Sequence, residues 1–294
     1  MAVPSSGTLI VRPPQYVEEV TFGTTPAVSP TLLWIGVVSK PDLSGGPESI
    51  DIPAVATEDP YTIIQGKALY KLKLSYLLQQ STFAKYGVVA RVGAGTIDKS
   101  VSVLWSAKLN DVENYYFLKG ARINSLTLKG GPGKPTSVDV EMWGKNSPLP
   151  NISSGLTTPT FATDPATAPW RFEDGGAAPI TWNAVAVEVT EITVKFARNL
   201  KPVYAGDNAA VEVLYMPPAK RLITGSMTVV HTGTALLTDI LTPALRTLAW
   251  VLKSATSTLT LTNVRLNPLD SLEMPEEDVT YEKISFIAKA AALT

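Results

Sequence analysis

The stretch LTLKGGPGKPTSVDVEMWG, residues 126–144, indicates how the surrounding chain folds. Apolar and polar residues alternate before its glycine-rich centre, at residues 123–129, and again after it, at residues 138–142. A period of two residues is typical of a β-strand with one buried face and one solvated face. The stretch is therefore predicted to be an antiparallel hairpin with Gly133 in its tip.

The glycines and Lys134 in this tip resemble part of a phosphate-binding loop, G-x-x-x-x-G-K-[ST], but two positions of that motif are missing. Leu128 stands where the first glycine should be, and Pro135 stands where Ser or Thr should be. Pro132 and Pro135 also lack the backbone N–H groups that such a loop directs at an anion. The tip is predicted to be a turn and not a nucleotide site.

Composition excludes several classes of function. The chain has 294 residues, enough for one large all-β domain or two smaller ones. Its 25 basic and 26 acidic residues give a net charge of -1, so no basic excess is available to neutralise a phosphate backbone. Cysteine is absent and His231 is the only histidine. Disulfides, thiolate or zinc sites and histidine-dependent triads are therefore not expected.

Alternation of the same kind recurs along the chain, in runs rich in valine, threonine and aromatic residues. Half-buried strands suit antiparallel sheets, and strand–helix–strand alternation is scarce. The predicted fold class is mainly β, an antiparallel sandwich or barrel. The predicted strands are residues 49–56, 67–76, 100–107, 115–118, 123–129, 137–143, 185–196, 220–230, 256–264 and 279–289.

One segment has a helical pattern instead. Apolar residues recur at i, i+3, i+4 and i+7, which predicts an amphipathic helix over about residues 234–253. Pro243 lacks the N–H that a helix interior needs, so the helix either begins at Pro243 or kinks there. Asp239 and Arg246 argue against a membrane span, and no membrane insertion is expected. The predicted packing face is Leu237, Ile240, Leu241, Leu245, Leu248 and Leu252. A second, short helix is predicted at about residues 76–85.

A proline-rich segment predicts where the chain divides. The predicted parts are an N-terminal arm (residues 1–30), a first β module (31–146), a crossing segment (147–181) and a second β module with the helix (182–294). The two modules either stand apart or form one composite domain. ARINSLTLK followed by VDVEMWGK is similar to VEVTEITVK followed by ITGSMTVVHTG. Internal duplication and chance similarity between alternating strands both explain this likeness.

No motif for catalysis, metal binding or cofactor binding is found. VVHTG has the shape of an aspartic-protease loop, but His231 replaces the aspartate, so the required carboxylate pair is missing. The acidic residues 276–278 lack the spacing and glycine of a calcium loop. GAGTID, at residues 93–98, lacks the third glycine of a dinucleotide fingerprint. We expect a protein that is not an enzyme and has no cofactor or metal.

The order of these features resembles the tail tube proteins of long-tailed bacteriophages and of related archaeal tailed viruses. EEVTFGTTP (residues 18–26) is similar to the opening segment of those proteins, and YYFLKGARINSLTLKGGPGKPTSVDVEMWGK (115–145) is similar to their mid-chain passage. VTEITVKFARNLKPVYAG (189–206) resembles their strand leading to an Asn-x-x-Pro turn. RLITGSMTV, TLTLTNVRLNP and SFIAKAA continue the likeness, which spans residues 16–290.

The resemblance implies a structural protein of the virion tail, assembled in the host cytoplasm. It implies copies that close into rings, each giving strands to a continuous inner barrel, and rings that stack into a tube passing double-stranded DNA without specific binding. The implied partners are other copies, a tape-measure protein, a tail terminator, baseplate or distal tail proteins and, in a contractile tail, a sheath protein. Six copies per ring, or three copies with two modules each, both fit.

Two groups of residues are candidates for roles in such a tube. A channel must not retain its cargo, so acidic residues on solvated strands are candidates for its lining, although an outer face explains them equally well. The connection at residues 197–220 is too long for a tight hairpin and is a candidate ring-stacking loop. The alternative function is a carbohydrate-binding β-sandwich of a virion or cell surface. The lining candidates are Asp139, Glu141, Glu188 and Glu191, and the loop candidates are Pro202, Val203, Tyr204, Tyr215 and Met216.

Overall fold

Antiparallel strands form most of the chain in the computed structural model, which describes residues 9–25, 30–53, 60–89, 99–109, 112–146, 159–204, 212–230, 235–241, 244–267, 271–273 and 281–294. Within these residues the α-helices are α1 (Lys85–Val88) and α2 (Ala235–Leu241), and Phe172–Gly175 is a 3-10 helix. The strands are β1 (Leu9–Glu18), β2 (Leu33–Trp34), β3 (Val37–Pro53), β4 (Pro60–Leu77), β5 (Val101–Leu109), β6 (Val112–Gly130), β7 (Ser137–Gly144), β8 (Ile180–Trp182), β9 (Val185–Ala186), β10 (Val189–Ala197), β11 (Val203–Tyr204), β12 (Val213–Tyr215), β13 (Leu222–Val230), β14 (Arg246–Lys253), β15 (Ser257–Leu266), β16 (Ser271–Glu273) and β17 (Tyr281–Leu293).

The predicted fold class is confirmed, because the chain is mainly antiparallel β-sheet with few and short helices. The hairpin predicted from residues 126–144 is present as β6 and β7, with Leu126 opposite Val140. Its tip contains Gly133, whose φ of 74° lies in the left-handed region that glycine adopts without a steric cost.

The long helix predicted over residues 234–253 is wrong in extent. The helix α2 ends at Leu241, before Pro243, and residues 246–253 form the strand β14, which pairs with β15 and β8. A proline ring clashes with the carbonyl four residues earlier, so the helix could not run through it. Leu248 and Leu252 fit a helical spacing and a strand period equally well, and pairing on both edges of β14 selects the strand.

The predicted packing face is therefore corrected. Leu241 and Leu245 are 75% and 64% exposed, whereas Leu248 and Leu252 are buried on β14. Ile240 is half-buried against the core, and the side chain of Leu237 lies outside the described residues. The residue of α2 that is buried in the core is Leu236, which the helical pattern had not selected.

The structure also describes parts of three other segments for which the sequence made predictions. Residues 76–77 end strand β4, and the helical turn predicted at 76–85 appears later, as α1. Within the segment predicted as an N-terminal arm, β1 pairs with β5 and is part of the sheet. The described part of the crossing segment, residues 159–181, holds the 3-10 helix and the first residues of β8.

The sheet has the same order of pairing in its two halves. One half runs β3–β4–β7–β6–β5–β1–β2, and the other runs β10–β13–β17–β15–β14–β8–β9. We call these the first and second repeats. A helix follows the second strand of each order, α1 after β4 and α2 after β13. The repeats join where β6 pairs with β10.

The registers of the two repeats also agree. The β4–β7 ladder and the β13–β17 ladder run without a shift, and both end at the last residue of their first strand. The β5–β6 and β14–β15 ladders share one shift, next to Gly120 (φ 63°) and Asn263 (φ 52°). The matched ends are Leu77↔Ser137 with Val230↔Tyr281, Tyr70↔Gly144 with Ile223↔Ala288, and Val101↔Ala121 with Arg246↔Val264.

A bulge recurs at the start of each repeat's first strand. The ladder of β3 skips Ser39 between Val38 and Lys40, and the ladder of β10 skips Thr190 between Val189 and Glu191. The Ser39 hydroxyl donates to the Ser75 carbonyl at 3.0 Å, and the Thr190 hydroxyl donates to the Thr228 carbonyl at 3.3 Å. Ser75 and Thr228 are equivalent in the registers above, so the two repeats share a local contact as well as a topology.

The buried residues of both repeats form one contiguous core. Trp250 of the second repeat packs over Gly130 of the first, where an added Cβ would lie 2.5 Å from the Trp250 ring. The repeats fill equivalent core positions differently, since Leu72 lies opposite Met142 and Gly225 lies opposite Phe286. A Cβ on Gly225 would lie 2.3 Å from the Phe286 ring, so the larger ring requires the smaller partner.

The close contact between Gly225 and the Phe286 ring predicts how substitutions at these two positions change stability. Gly225→Leu should lower the free energy of unfolding by about 1–3 kcal/mol, the cost of overpacking a core, because the Phe286 ring occupies the added volume. The double variant Gly225→Leu/Phe286→Met installs the pair found in the first repeat and should recover part of the loss. Recovery is partial because the new Cβ also lies 2.6 Å from the Thr193 carbonyl oxygen.

Urea unfolding of the two variants measures these effects. Ser226→Ala is the matched control, because Ser226 neighbours Gly225 but faces away from the core. A double variant no more stable than Gly225→Leu would show that the two positions do not share volume.

Candidate assembly surfaces

Strands β4, β7, β6, β10, β13 and β17 lie side by side, and one face of this part of the sheet is solvated. Burial alternates along β7 and most of β10, so apolar side chains face the core and polar ones face outward. We call this surface the polar face. Its members include Lys71, Lys73, Ser75, Ser125, Thr127, Lys129, Asp139, Glu141, Glu191, Thr193, Lys195, Thr224, Ser226, Thr228, Lys283 and Ser285.

Asp139 is held in place on the polar face by two neighbours. The Lys129 ammonium lies 2.8 Å from its carboxylate, and the Ser75 hydroxyl donates to it at 2.6 Å. Partial burial would raise the pKa of Asp139, but these hydrogen bonds outweigh burial and lower it. The carboxylate therefore stays charged through the neutral range and offsets the charge of Lys129.

The other acidic candidates are dispersed. The Glu141 carboxylate accepts hydrogen bonds from Trp143 Nε1 at 2.6 Å and Asn124 Nδ2 at 3.3 Å. Glu191 lies on the same face in β10, opposite Thr228. Glu188 precedes β10 and is exposed outside these ladders. The structure thus places three of the four candidates on the polar face, with Asp139 and Glu141 on one strand.

Lysines share this face with the acids, and they were not predicted from the sequence to lie there. Lys73 lies opposite Glu141 and also opposite Asp42, while Lys195 and Lys283 are exposed farther across the sheet. The alternation along each strand could have identified these lysines, because they lie an even number of residues from the polar residues of the same face. The polar face therefore carries both signs of charge.

Among the described residues, two of the edges that lack a partner strand border the polar face. The strand β3 pairs with β4 only, which leaves its outer edge open, and we call this the β3 edge. The pairing of β14 with β15 stops at Val264. Beyond that point β15 and β16 pair only with β17, and we call residues 265–267 and 271–273 the β15–β16 edge. Open edges present rows of N–H and C=O groups that can pair with another chain.

The candidate stacking loop contains a small hairpin, β11–β12. Val203 and Leu214 are 45% and 56% exposed, and Tyr215 is also exposed, so the hairpin presents an apolar surface. Met216 is fully buried, so it lies beneath the hairpin and does not contribute to the exposed apolar surface. Tyr204 is partly buried, with the Lys67 ammonium 5.3 Å from its ring centroid. Pro202 is likewise partly buried.

Arg122 attaches this hairpin to the sheet. Its guanidinium lies 5.4 Å from the Phe22 ring centroid and 5.3 Å from the Tyr215 ring centroid. Its Nη1 donates to the Met216 carbonyl at 2.9 Å, and the side chain is buried. A planar cation stacked between rings and bonded to a carbonyl is a contact that lysine does not reproduce.

A second buried charge orders the segment EEVTFGTTP. The Glu19 carboxylate accepts from the backbone N–H groups of Gly23 and Gly120, each at 2.8 Å. It also accepts from the hydroxyls of Ser100 at 2.5 Å and Ser102 at 2.6 Å. This full set of donors compensates its burial and fixes a turn in which Val20 is 90% exposed. This role of Glu19 was not predicted from the sequence.

A metal-binding cluster and a membrane-spanning helix are both absent from the described residues. Within them, no three His, Cys, Asp or Glu side chains are grouped closely enough to hold a metal ion. In the same part of the chain, no helix has the length and apolar character needed to cross a membrane. His231, residues 93–98 and residues 276–278 lie outside the described residues.

Comparison with known proteins gives one match that covers nearly the whole chain. The model of a family described as phage tail tube protein matches residues 15–290. No curated protein matches the chain.

The contacts of Arg122 generate a prediction about the β11–β12 hairpin. Arg122→Lys keeps the charge but loses the stacking and the fork of donors. Amide hydrogen exchange at residues 212–216 should accelerate by about tenfold, with little change in the core strands. Arg12→Lys is the matched control, because Arg12 stacks on Phe161 away from this hairpin. Unchanged exchange at residues 212–216 in Arg122→Lys would contradict the anchoring role.

Proposed function

Because the chain belongs to the phage tail tube protein family and is thus a structural component of a virion tail, we propose that its copies close into rings and that the rings stack into a tube for DNA. The observation that carries this proposal is the pair of open edges, on β3 and on β15–β16. A ring removes such edges by pairing each with a neighbouring copy.

We propose that the polar face lines the channel. Its central strands carry short Ser and Thr side chains at Thr127, Thr193, Ser226 and Thr228, which leave a smooth wall. Lysines on this face would hold phosphates if they were unopposed. Asp139 offsets Lys129 at 2.8 Å, which supports a wall that lets a polyanion slide.

We propose that the apolar surface of the β11–β12 hairpin contacts the next ring in the stack. Val203 and Leu214 remain exposed although the hairpin itself is anchored through Arg122 and Met216. An ordered hairpin with an exposed apolar surface suits contact with another protein surface. The tape-measure protein, tail terminator, distal tail proteins and any sheath protein are the further partners of such a tube.

Electron microscopy of the purified protein at high concentration tests this function. The wild-type protein should form tubes of uniform bore. Val203→Glu/Leu214→Glu should give folded rings that do not stack, because two charges would have to be buried at each contact. Val185→Glu is the matched control, since Val185 is also exposed, at 64%, but lies on strand β9. Wild-type tubes from the double variant would contradict a stacking role for the hairpin.

Charge reversal on β7 tests the proposed channel wall. Asp139→Lys/Glu141→Lys should still form tubes, but DNA ejection should slow by about twofold or more, because the added cations bind phosphate. Asp139→Asn/Glu141→Gln is the control that keeps side-chain size and adds no cation. Ejection assays on assembled virions at low and high salt measure the effect, which salt should reduce. Ejection at the wild-type rate in the lysine variant would place these residues outside the channel.

A further inference from the structure

We infer that the β3 edge of one copy pairs with the β15–β16 edge of the next copy, and that this contact repeats the β6–β10 junction found inside the chain. The inference rests on the proposed ring and specifies which edges form it. The two repeats have equivalent strands throughout: β3 corresponds to β10, and the pair β15 and β16 corresponds to β6. The β6–β10 junction is therefore an intramolecular version of the inferred contact between copies.

Comparison of the free edges selects this pair. The strands β2 and β9 are equivalent, and within the described residues each ends its half of the sheet with no further strand beside it. Because this outer edge has no neighbouring strand in either repeat, the described residues give no example of a strand that pairs with the outer edge of β2 or β9. The β3 edge differs, because its equivalent β10 is paired with β6. The β15–β16 edge differs in the same way, because its equivalent in β6 is paired with β10.

The strand β16 completes this equivalence. The strand β17 pairs with β15 as far as Leu266, opposite Phe286, and pairs with β16 from Ser271, opposite Lys283. In the first repeat, β7 pairs with the single strand β6 over the corresponding stretch. Matching the two ladders through β7 and β17 makes Ser271 equivalent to Thr127 and Leu272 equivalent to Leu128.

The internal junction supplies the register between copies. Lys195 lies opposite Thr127, Val194 opposite Leu128, and Thr193 opposite Lys129. The bulges of β3 and β10 align Ser44 with Lys195, Leu43 with Val194 and Asp42 with Thr193. The inferred inter-copy pairs are therefore Ser44 opposite Ser271, Leu43 opposite Leu272, and Asp42 opposite Glu273.

The inferred register pairs two acidic residues, Asp42 and Glu273, across the contact between copies. Like charges at paired positions on adjacent strands oppose pairing. Lys73 lies opposite Asp42 on the same hairpin and offsets part of this repulsion. Asp42→Asn should consequently strengthen association between copies, whereas a contact elsewhere on the chain would leave association unchanged.

Cysteine pairs test the register directly, because the chain contains no cysteine of its own. Paired positions on adjacent strands meet the distance that a disulfide requires. Ser44→Cys/Ser271→Cys should join neighbouring copies when assembled protein is oxidised, and non-reducing gels should show a ladder of covalent multimers. Each single variant should give no ladder.

Two further variants make the result decisive. Thr127→Cys/Lys195→Cys places the same pair at the internal junction and should close within one chain, which shows that this register supports the bond. Ser44→Cys/Ser285→Cys moves one cysteine to β17 and should not cross-link. Tubes without Ser44–Ser271 cross-links, while the internal control closes, would overturn the inferred junction and leave the proposed function standing. Absence of any assembly in the wild-type protein would overturn the proposed function itself.

Discussion

Backbone hydrogen bonding at strand edges is the constraint on which this molecule depends. Each edge strand exposes N–H and C=O groups that must be paired, solvated or blocked, and long open edges invite unspecific association. The strand β3 runs from Val37 to Pro53 with only β4 beside it. Pro41 and Pro47 lie within it, and neither has an N–H to donate, which limits the ways in which another strand can pair there.

The agreement between the two repeats is too detailed to follow from general features of β-sheets. Antiparallel hairpins of alternating residues recur in many proteins, but the two repeats also share a bulge, a register shift and a hydroxyl-to-carbonyl contact at equivalent positions, which favours internal duplication over chance similarity. The repeats also differ, since β1 has 10 residues and its equivalent β8 has 3. Core volumes are exchanged within a pair, as at Gly225 and Phe286. The connections between the first two strands also differ, because β3 and β4 stay paired as far as Pro53 and Pro60, whereas the second repeat has the separate pair β11 and β12 there.

Much of the fold could be predicted from the sequence, for a definite physical reason. A strand with one wet face must alternate, so the hairpin around Gly133 and most of the strands were evident from period alone. Leu248 and Leu252 satisfied two periods at once, and only the neighbours of β14 decide between them. Glu19 and Arg122 could not be recognised, because their partners Gly120 and Met216 are distant in sequence. The lysines of the polar face could have been predicted, because the alternation that selects the acidic residues of a strand selects the lysines on the same face as well.

Equivalent positions of the two repeats differ in charge, which bears on how a channel could pass DNA. Asp139 in the first repeat corresponds to Lys283 in the second, and Lys129 corresponds to Glu273. In a ring in which the repeats alternate, these two positions would therefore present both signs in turn around the channel. A continuous belt of lysines would hold the phosphates by releasing their counterions, and a continuous belt of acids would repel them at the entrance. Alternation would avoid both extremes, so under the proposed assembly a chain of net charge -1 could place several lysines on the channel wall.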